Sequence, residues 1–301
     1  MLIRDLLVSR APSISFEFFP PKTDEAAAQL ERTIAELGVL QPDFVSVTWG
    51  AGGSTREKTI EIVSRIREGA GIEAMAHLTC VGSTREELAA ILLRLQAAGI
   101  HNVLALRGDP PKGQTSFTAV EGGFRYASEL TAFIREAHGT GLCVGGAAYP
   151  EKHVECGNPA VDLNNLKRKV DAGLDFLITQ LFFDNRHYWE FVERAQKAGI
   201  SVPIIPGIMP ITNAGQVERF SGTTIPFKLA AELDRRRADP QAVQQLGVAH
   251  ATSQCIDLLT GGAPGIHFYT LNRSHATRNI FTALRSIGLA GSSSKDGAGA
   301  S

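Results

Sequence analysis

Residues 75–108 read MAHLTCVGSTREELAAILLRLQAAGIHNVLALRG and hold the pattern that decides the fold. Two short apolar segments, residues 75–80 and 103–108, flank a stretch with the apolar spacing of a helix. Ser83 and Glu86 stand three residues apart at its start, which is the sequence of a capping box. A strand, a helix and a second strand in this order predict parallel pairing, because the chain must cross back over the sheet.

The same unit recurs along the whole chain. Eight β-rich apolar segments are present, with seven stretches of mostly helical pattern between them: 13–19 (SISFEFF), 44–50 (FVSVTWG), 75–80 (MAHLTC), 103–108 (VLALRG), 142–149 (LCVGGAAY), 176–182 (FLITQLF), 202–209 (VPIIPGIM) and 266–271 (IHFYTL). Eight such units in 301 residues fit an α/β fold of the closed (β/α)₈, or TIM, barrel type, which needs roughly 250 residues.

The chain is longer than a plain barrel requires. Asp239 before Pro240 predicts a helix start and Gly261 a helix stop, so residues 226–259 predict two extra helices before the eighth strand. Ser54 begins a second capping-box sequence. The end of the chain is rich in Gly, Ala and Ser, so we expect one folded domain over residues 1–289 and a disordered tail over 290–301.

Composition narrows the class of protein. Hydrophobic residues make up 44% and mean hydropathy is −0.01, which allows a large core. A net charge of −1 argues against binding to nucleic acid or to an anionic membrane. No secretory signal and no apolar run of about 18 residues are present, so we expect a cytoplasmic protein without a membrane span. Four scattered cysteines form no CxxC pair and favour reduced thiols: Cys80, Cys143, Cys156 and Cys255.

In a barrel of this type the active site lies at the carboxyl ends of the strands. The polar residues at or just beyond those ends are Glu17, Thr48, His77, Asp109, Tyr149, Gln180 and Arg273. Glu17 stands among phenylalanines, where burial raises the pKa of a carboxyl group and suits it to act as a general acid. The alternative is a barrel-interior glutamate paired with an arginine.

Several of these residues allow two interpretations. Asp109 either orients a heterocycle and tunes a cofactor, or is an ordinary turn residue paired with Arg107. His77 and His153 have no third ligand at metal spacing, so no metal site is predicted, and His77 fits a hydrogen-bonded barrel histidine equally well. The amide of Gln180 can both donate to and accept from a pterin edge.

Other segments also allow two interpretations. Tyr149 and Phe220 offer rings for stacking, although Phe220 fits a core position as well. Residues 165–169 read NLKRK and form either a solvent-exposed helix face or a binding site for a diphosphate. Residues 50–54 are glycine-rich and precede a helix, but without a P-loop lysine or a GxGxxG pattern they are read as a flexible loop.

Taken together, the motifs resemble one family. The strings SFEFFPPK, FVSVTWGAGG, AHLTC, ALRGD, AAYPE, LNNLKRKVDAG, ITQLFFD, IIPGIMP and HFYTLNR occur in the order seen in the methylenetetrahydrofolate reductase family, over residues 13–289. The chain is most similar to the bacterial single-domain form, so the regulation by S-adenosylmethionine known for the eukaryotic C-terminal domain is expected to be missing.

The resemblance implies a flavin-binding barrel with FAD as cofactor. Such an enzyme reduces 5,10-methylenetetrahydrofolate to 5-methyltetrahydrofolate with NADH or NADPH by ping-pong hydride transfer, or runs in reverse in the cell. It implies a cytoplasmic enzyme of one-carbon metabolism and methionine biosynthesis, and we expect a homo-oligomer. The expected binding partners besides further copies of the chain are these small-molecule substrates.

The resemblance also assigns roles to single residues. Glu17 is similar to the family's general acid and Asp109 to the acid near flavin and pterin. Gln180, Phe220 and Arg273 match folate-side contacts. The positions matching the FAD site are Thr48, Trp49, His77, Arg107, Gly108, Asp109, Tyr126, Ala127, Tyr149, His153, Asp162, Asn165, Arg168 and Lys169. Trp49 is a departure, because relatives carry a tyrosine there.

Two other classes of protein stay in view. A phosphate-binding barrel lyase or aldolase would need a Schiff-base lysine inside a strand, and none of the eight predicted strands contains a lysine. A non-enzymatic ligand-binding barrel would not need a glutamate buried among aromatic residues. A visible absorption spectrum separates the three, because only the reductase would carry a flavin.

Overall fold

The computed structural model describes residues 1–10, 12–50, 55–110, 113, 116–219 and 222–291. Strands and helices alternate along the chain in the order α1 (Ile3–Ser9), β1 (Ser13–Phe18), α2 (Asp24–Gly38), β2 (Phe44–Val47), α3 (Arg56–Ala70), β3 (Glu73–Thr79), α4 (Arg85–Ala97), β4 (Asn102–Leu106), α5 (Ala127–His138), β5 (Cys143–Ala148), α6 (Pro159–Asp171), β6 (Phe176–Thr179), α7 (Asn185–Lys197), β7 (Ile204–Ile205), β8 (Gly207–Ile208), α8 (Phe227–Arg235), α9 (Pro240–Thr260), β9 (Gly265–Tyr269) and α10 (His275–Ser286). A short 3₁₀ helix spans Ala214–Arg219.

The strands form one parallel sheet in the order β7-β6-β5-β4-β3-β2-β1-β9-β8. The prediction of eight continuous strands is wrong at the seventh, which is divided into β7 and β8 at Pro206. Proline has no N–H to donate, so it interrupts the ladder. Before Pro206 the chain pairs with β6 and after it with β9, and the two halves together close the ring.

Helix α1 covers the amino-terminal end of the barrel and was not predicted. Its buried residues Ile3, Leu6 and Leu7 pack on inward-facing side chains from several strands, including Phe44 and Phe176. This apolar cluster fills the lower part of the barrel interior. Polar groups inside the barrel therefore lie above it, toward the carboxyl ends of the strands.

The helix starts test the local predictions. The capping box of α4 uses Thr84 and Glu87, one residue later than predicted, because Ser83 is buried and its hydroxyl turns toward Val81 O. At α3 the cap residue is Thr55, whose hydroxyl accepts from Gly50 N and makes no cap bond to the helix. Ser54 lies outside the described residues.

The extra helices before the last strand are confirmed as α8 and α9. The side chain of Asp239 accepts from the backbone N–H groups of Gln241 and Ala242 at the start of α9. Ala290 is buried in the main core, and residues 292–301 lie outside the described part. Across the described ranges, no helix has the length and apolarity that a membrane crossing requires.

Candidate active site

One large cavity opens at the carboxyl ends of the strands, with a volume of about 1510 Å³. All of the predicted site residues except Phe220 and Arg273 line it. Phe220 lies outside the described residues. Arg273 is exposed and is not part of the lining, so the structure does not bring it to the other candidates.

Glu17 lies on β1 at the floor of this cavity, and its side chain is only 7% exposed. Its Oε2 atom is 3.3 Å from Nε2 of His77 on β3 and 3.5 Å from Nε2 of His267 on β9. The alternative of an arginine partner is therefore wrong, since the ionisable partners of this carboxylate are two imidazoles.

The predicted rise in the pKa of Glu17 is also wrong. Burial alone raises it, but His267 and His77 beside the carboxylate outweigh burial and lower the pKa to about 2. Glu17 is consequently an anion in the resting cavity. If Glu17 donates a proton, that proton must reach it from a neighbouring group.

His267 and Tyr269 were missed by the sequence reasoning. Both project from β9 into the barrel, and Tyr269 lines the cavity while its hydroxyl donates to Thr179 O at 2.7 Å. The available signal was alternation, because His267 and Tyr269 are the polar members of GIHFY at a spacing of two. Their closeness to Glu17 follows from the pairing of β1 with β9.

Arg107 and Asp109 follow β4 on one wall. Arg107 forms a bidentate pair with Glu155, with both N–O distances at 2.7 Å, and its guanidinium lies over the ring of Phe117. The ion pair between Arg107 and Asp109 that was considered from the sequence is not formed. Asp109 is exposed at the cavity mouth, where its carboxylate is free to face a ligand.

Tyr149 and His153 continue this wall after β5. Their rings meet edge to face with centroids 4.6 Å apart, and burial raises the pKa of Tyr149 to about 12. The backbone N–H of His153 donates to Asp162 on α6 at 3.0 Å. Burial lowers the pKa of His153, which favours a neutral imidazole there.

Helix α6 carries the predicted basic run. Asn165, Arg168 and Lys169 line the cavity, whereas Lys167 pairs with Asp171 on the outer face. The ammonium of Lys169 donates to Ala147 O, and burial lowers its pKa to about 8. The run therefore belongs to a ligand-facing wall and not to a wholly solvated face.

Thr48 and Trp49 line the cavity beyond β2. Trp49 is buried, and its indole N–H has no partner among the described residues. Gln180 is exposed beyond β6, with its side-chain oxygen accepting from Leu181 N at 3.0 Å. Its amide NH₂ group remains available to a ligand.

The cavity fits a large, partly anionic ligand. Its volume exceeds the roughly 300–1,000 Å³ of ordinary ligand pockets. Arg168 and Lys169 are cations suited to phosphate groups, and Tyr149 offers a ring for stacking. In the described ranges, no group of three or more His, Cys, Asp or Glu side chains could hold a metal ion.

The fold and the site together define a (β/α)₈ barrel protein with a ligand cavity at the carboxyl ends of its strands. The chain belongs to the methylenetetrahydrofolate reductase family, whose sequence profile matches residues 2–285. The family predicted from the motifs is therefore confirmed.

Individual relatives agree with this assignment. The chain is 41% identical over 275 residues to 5,10-methylenetetrahydrofolate reductase of Escherichia coli, covering 90% of both proteins. It is 41% identical over 284 residues to Methylenetetrahydrofolate reductase (NADH) 1 of Arabidopsis thaliana, covering 90% of this chain and 48% of the plant protein. The chain thus spans about half the length of its plant relatives.

A solved structure supports the fold. An uncharacterized protein from Clostridium thermocellum, which binds two copies of 5-methyl-5,6,7,8-tetrahydrofolic acid, superposes with a TM-score of 0.64 at 18% identity. The match covers 95% of this chain and 99% of that one. At this identity the likeness speaks for the barrel fold alone, which agrees with the predicted (β/α)₈ class.

Proposed function

We propose that this chain is an FAD-dependent oxidoreductase that converts 5,10-methylenetetrahydrofolate to 5-methyltetrahydrofolate with NADH or NADPH, or runs the same reaction in reverse. The observation that carries the proposal is the placement of Glu17 at the floor of one cavity that Asp109 and Gln180 also line. Arg168 and Lys169 of α6, which we call the basic wall, line the same cavity. Family membership supports the reaction class. The cytoplasmic location and the homo-oligomeric state stay predictions.

The residues that would hold FAD lie on two neighbouring walls. Arg168 and Lys169 suit the diphosphate, and Tyr149 and His153 offer packed rings beside them. When bound, FAD supplies the carrier that accepts hydride from the nicotinamide and passes it to the folate. The protein supplies binding, orientation and charge.

Glu17 supplies the proton chemistry. The methylene bridge of the folate must open before it accepts hydride, and opening requires a proton at the leaving nitrogen. Glu17 is buried at the floor of the cavity, where its carboxyl group would face a ring bound in that cavity. Asp109 and Gln180 stand at the mouth, where they can orient the pterin by hydrogen bonds.

The aldolase alternative is less well supported. None of the strands in the described part of the chain contains a lysine, so a Schiff base would have to form at a loop or helix lysine of the lining: Lys22, Lys152 or Lys169. The pKa of Lys169 is lowered to about 8, and its ammonium donates to Ala147 O. An ammonium has three N–H donors and can keep this bond while it binds a phosphate, whereas a protonated Schiff base would have only one.

The test is the absorption spectrum of the purified protein, before and after addition of FAD. We expect flavin absorption bands and release of FAD, not FMN, on denaturation. Folded protein that neither carries nor takes up FAD, and that stays inactive with FAD present, would refute it.

A further inference from the structure

Two imidazoles from different strands face one oxygen of Glu17. The Nε2 atoms of His77 and His267 lie 3.3 and 3.5 Å from Oε2, and the two histidine side chains are 8% and 0% exposed. Neither Nε2 is aligned with a hydrogen-bond partner among the described residues. The three groups therefore form a buried ionisable cluster that the general-acid role of Glu17 alone does not explain.

Charge balance requires a proton in this cluster. A buried carboxylate without a compensating charge is costly, and the titratable groups that face Glu17 decide its state. Strand β3 contributes His77 to this set of facing groups, and β9 contributes His267 and Tyr269. The adjacent strand β2 contributes Ser46, which does not titrate. Among the described residues on these strands, the two imidazoles are the groups beside Glu17 that can carry a positive charge.

The surroundings of His267 suit it to hold that proton. Its Nδ1 lies 2.8 Å from Ser15 Oγ, whose own hydroxyl lies 3.4 Å from Ile266 O. Both ring nitrogens thus face oxygen atoms, as an imidazole that donates from both nitrogens requires. The ring is fixed by stacking on Phe44 and by the edge contact with Tyr269.

Resting on the function proposed above, we propose that His267 is a positioning residue that stores the proton which Glu17 delivers to the folate. In the first step the Nε2–H bond of His267 breaks and an O–H bond forms on Glu17 Oε2. That O–H bond then breaks as the proton reaches the leaving folate nitrogen. The nitrogen keeps the electron pair of its broken bond to the methylene carbon, while the lone pair of the second nitrogen forms the C=N bond.

The proton is restored from solvent. His77 touches the same carboxylate oxygen and lines the cavity, so it connects the buried cluster to the cavity mouth. His267 is wholly buried and has no such route of its own. The two histidines therefore have different tasks, storage by His267 and resupply by His77.

The test compares His267→Gln with the unchanged protein. Glutamine keeps a neutral N–H donor but cannot carry the proton. We expect reoxidation of the bound flavin by methylenetetrahydrofolate to fall roughly 10- to 100-fold, the range for a lost acid–base group. We expect reduction by the nicotinamide to stay within about twofold. A matched control is His250→Gln, on α9 with its Nε2 3.0 Å from Phe183 O and outside the cavity lining, which should change neither step.

A second readout needs no flavin and no substrate. The flavin-free protein is labelled with ¹³C-glutamate, and the NMR signal of the Glu17 carboxyl group is identified by its loss in Glu17→Gln. This signal reports the ionisation of Glu17. Because His267 lowers the pKa of Glu17, we expect His267→Gln to shift this titration upward and His250→Gln to leave it in place. If His267→Gln does not fold, Ser15→Ala removes the Nδ1 partner and should give a smaller upward shift.

The outcomes separate the two proposals. An unmoved Glu17 titration, or equal losses in both half-reactions, would overturn the role of His267. A shifted titration with a normal folate step would show that His267 fixes the charge of Glu17 but stores no proton, which also contradicts the proposal. If His267→Gln shifts the Glu17 titration but the unchanged protein never reacts with the folate, the proposed function is refuted. The contact between His267 and Glu17 would still be established.

Discussion

Nε2 of His77 lies 3.3 Å from Oε2 of Glu17, and both side chains are almost wholly buried where the barrel interior meets the cavity. An anionic glutamate next to an imidazole acts differently from an isolated acid. Such a glutamate passes on a proton that its neighbour supplies. The first prediction follows from this contact.

Glu17→Gln should separate the two half-reactions. The amide keeps the size of the side chain and one acceptor oxygen, but it has no negative charge and cannot transfer a proton. Reduction of bound flavin by the nicotinamide should survive, while reoxidation by methylenetetrahydrofolate should fall by roughly 10²-fold or more. Rapid-mixing absorbance at the flavin band measures both steps.

The matched control for that variant is Glu61→Gln, an exposed glutamate on α3 that lies outside the cavity lining. It should leave both half-reactions unchanged. Equal losses in the two steps of Glu17→Gln would mean that Glu17 has a structural role only.

Asp109→Asn should make bound FAD easier to reduce. Asp109 stands at the cavity mouth, and removal of one nearby negative charge favours electron uptake. A change of about 1.4 kcal/mol corresponds to roughly 30 mV for a two-electron couple, so a rise of this order is expected. Asp109→Glu, which keeps the charge, is the control, and an unchanged or lower midpoint potential in Asp109→Asn would remove Asp109 from the neighbourhood of the flavin.

The affinity for FAD should fall as the pH rises through about 8. Burial lowers the pKa of Lys169 to about 8, so its positive charge is present below this pH and is lost above it. An anionic diphosphate binds the charged form more tightly and itself favours protonation. Loss of one charged contact weakens binding by about 10-fold, or about 1.4 kcal/mol.

Isothermal titration with FAD between pH 7 and about 10 checks this expectation. Lys169→Arg should bind FAD with a flat pH dependence, because arginine stays charged. Lys167→Met is the matched control on the same helix, since Lys167 pairs with Asp171 outside the lining, and it should keep the decline. A decline of equal size in Lys169→Arg would assign the effect to another group.

Initial-rate plots should give parallel double-reciprocal lines. Within the described residues one cavity contains Glu17, Gln180 and the basic wall, so nicotinamide and folate must use the same space in turn. Folate at high concentration should then compete with the nicotinamide. Intersecting lines, or a complex of oxidised enzyme with both ligands, would show a second binding surface.

Local patterns in the sequence were sufficient for the barrel. The alternation of apolar segments with helical stretches predicted the parallel sheet, and Asp239 before Pro240 predicted the start of α9 correctly. The cap of α4 was misplaced by one residue because Ser83 and Thr84 are both suitable cap residues, and burial of Ser83 decides between them. Pro206 was visible, but its pairing with two different neighbours depends on closure of the ring.

The chemistry of Glu17 could be predicted only in part. Its burial followed from the surrounding phenylalanines, and burial alone gives the wrong direction for its pKa. The groups that reverse the direction are His77 and His267, which are 60 and 250 residues away along the chain and become neighbours only in the closed barrel. A pKa set by such long-range contacts is invisible to local sequence reasoning.

The proposed hydride transfer is tested most directly by following the flavin through one turnover. Protein loaded with FAD is mixed first with NADH and then, without oxygen, with methylenetetrahydrofolate. We predict bleaching of the flavin band by the nicotinamide, its return on addition of the folate, and one 5-methyltetrahydrofolate formed per flavin reoxidised. A flavin that NADH bleaches but the folate leaves reduced, or a return of the band without methyltetrahydrofolate, would contradict the proposed reaction.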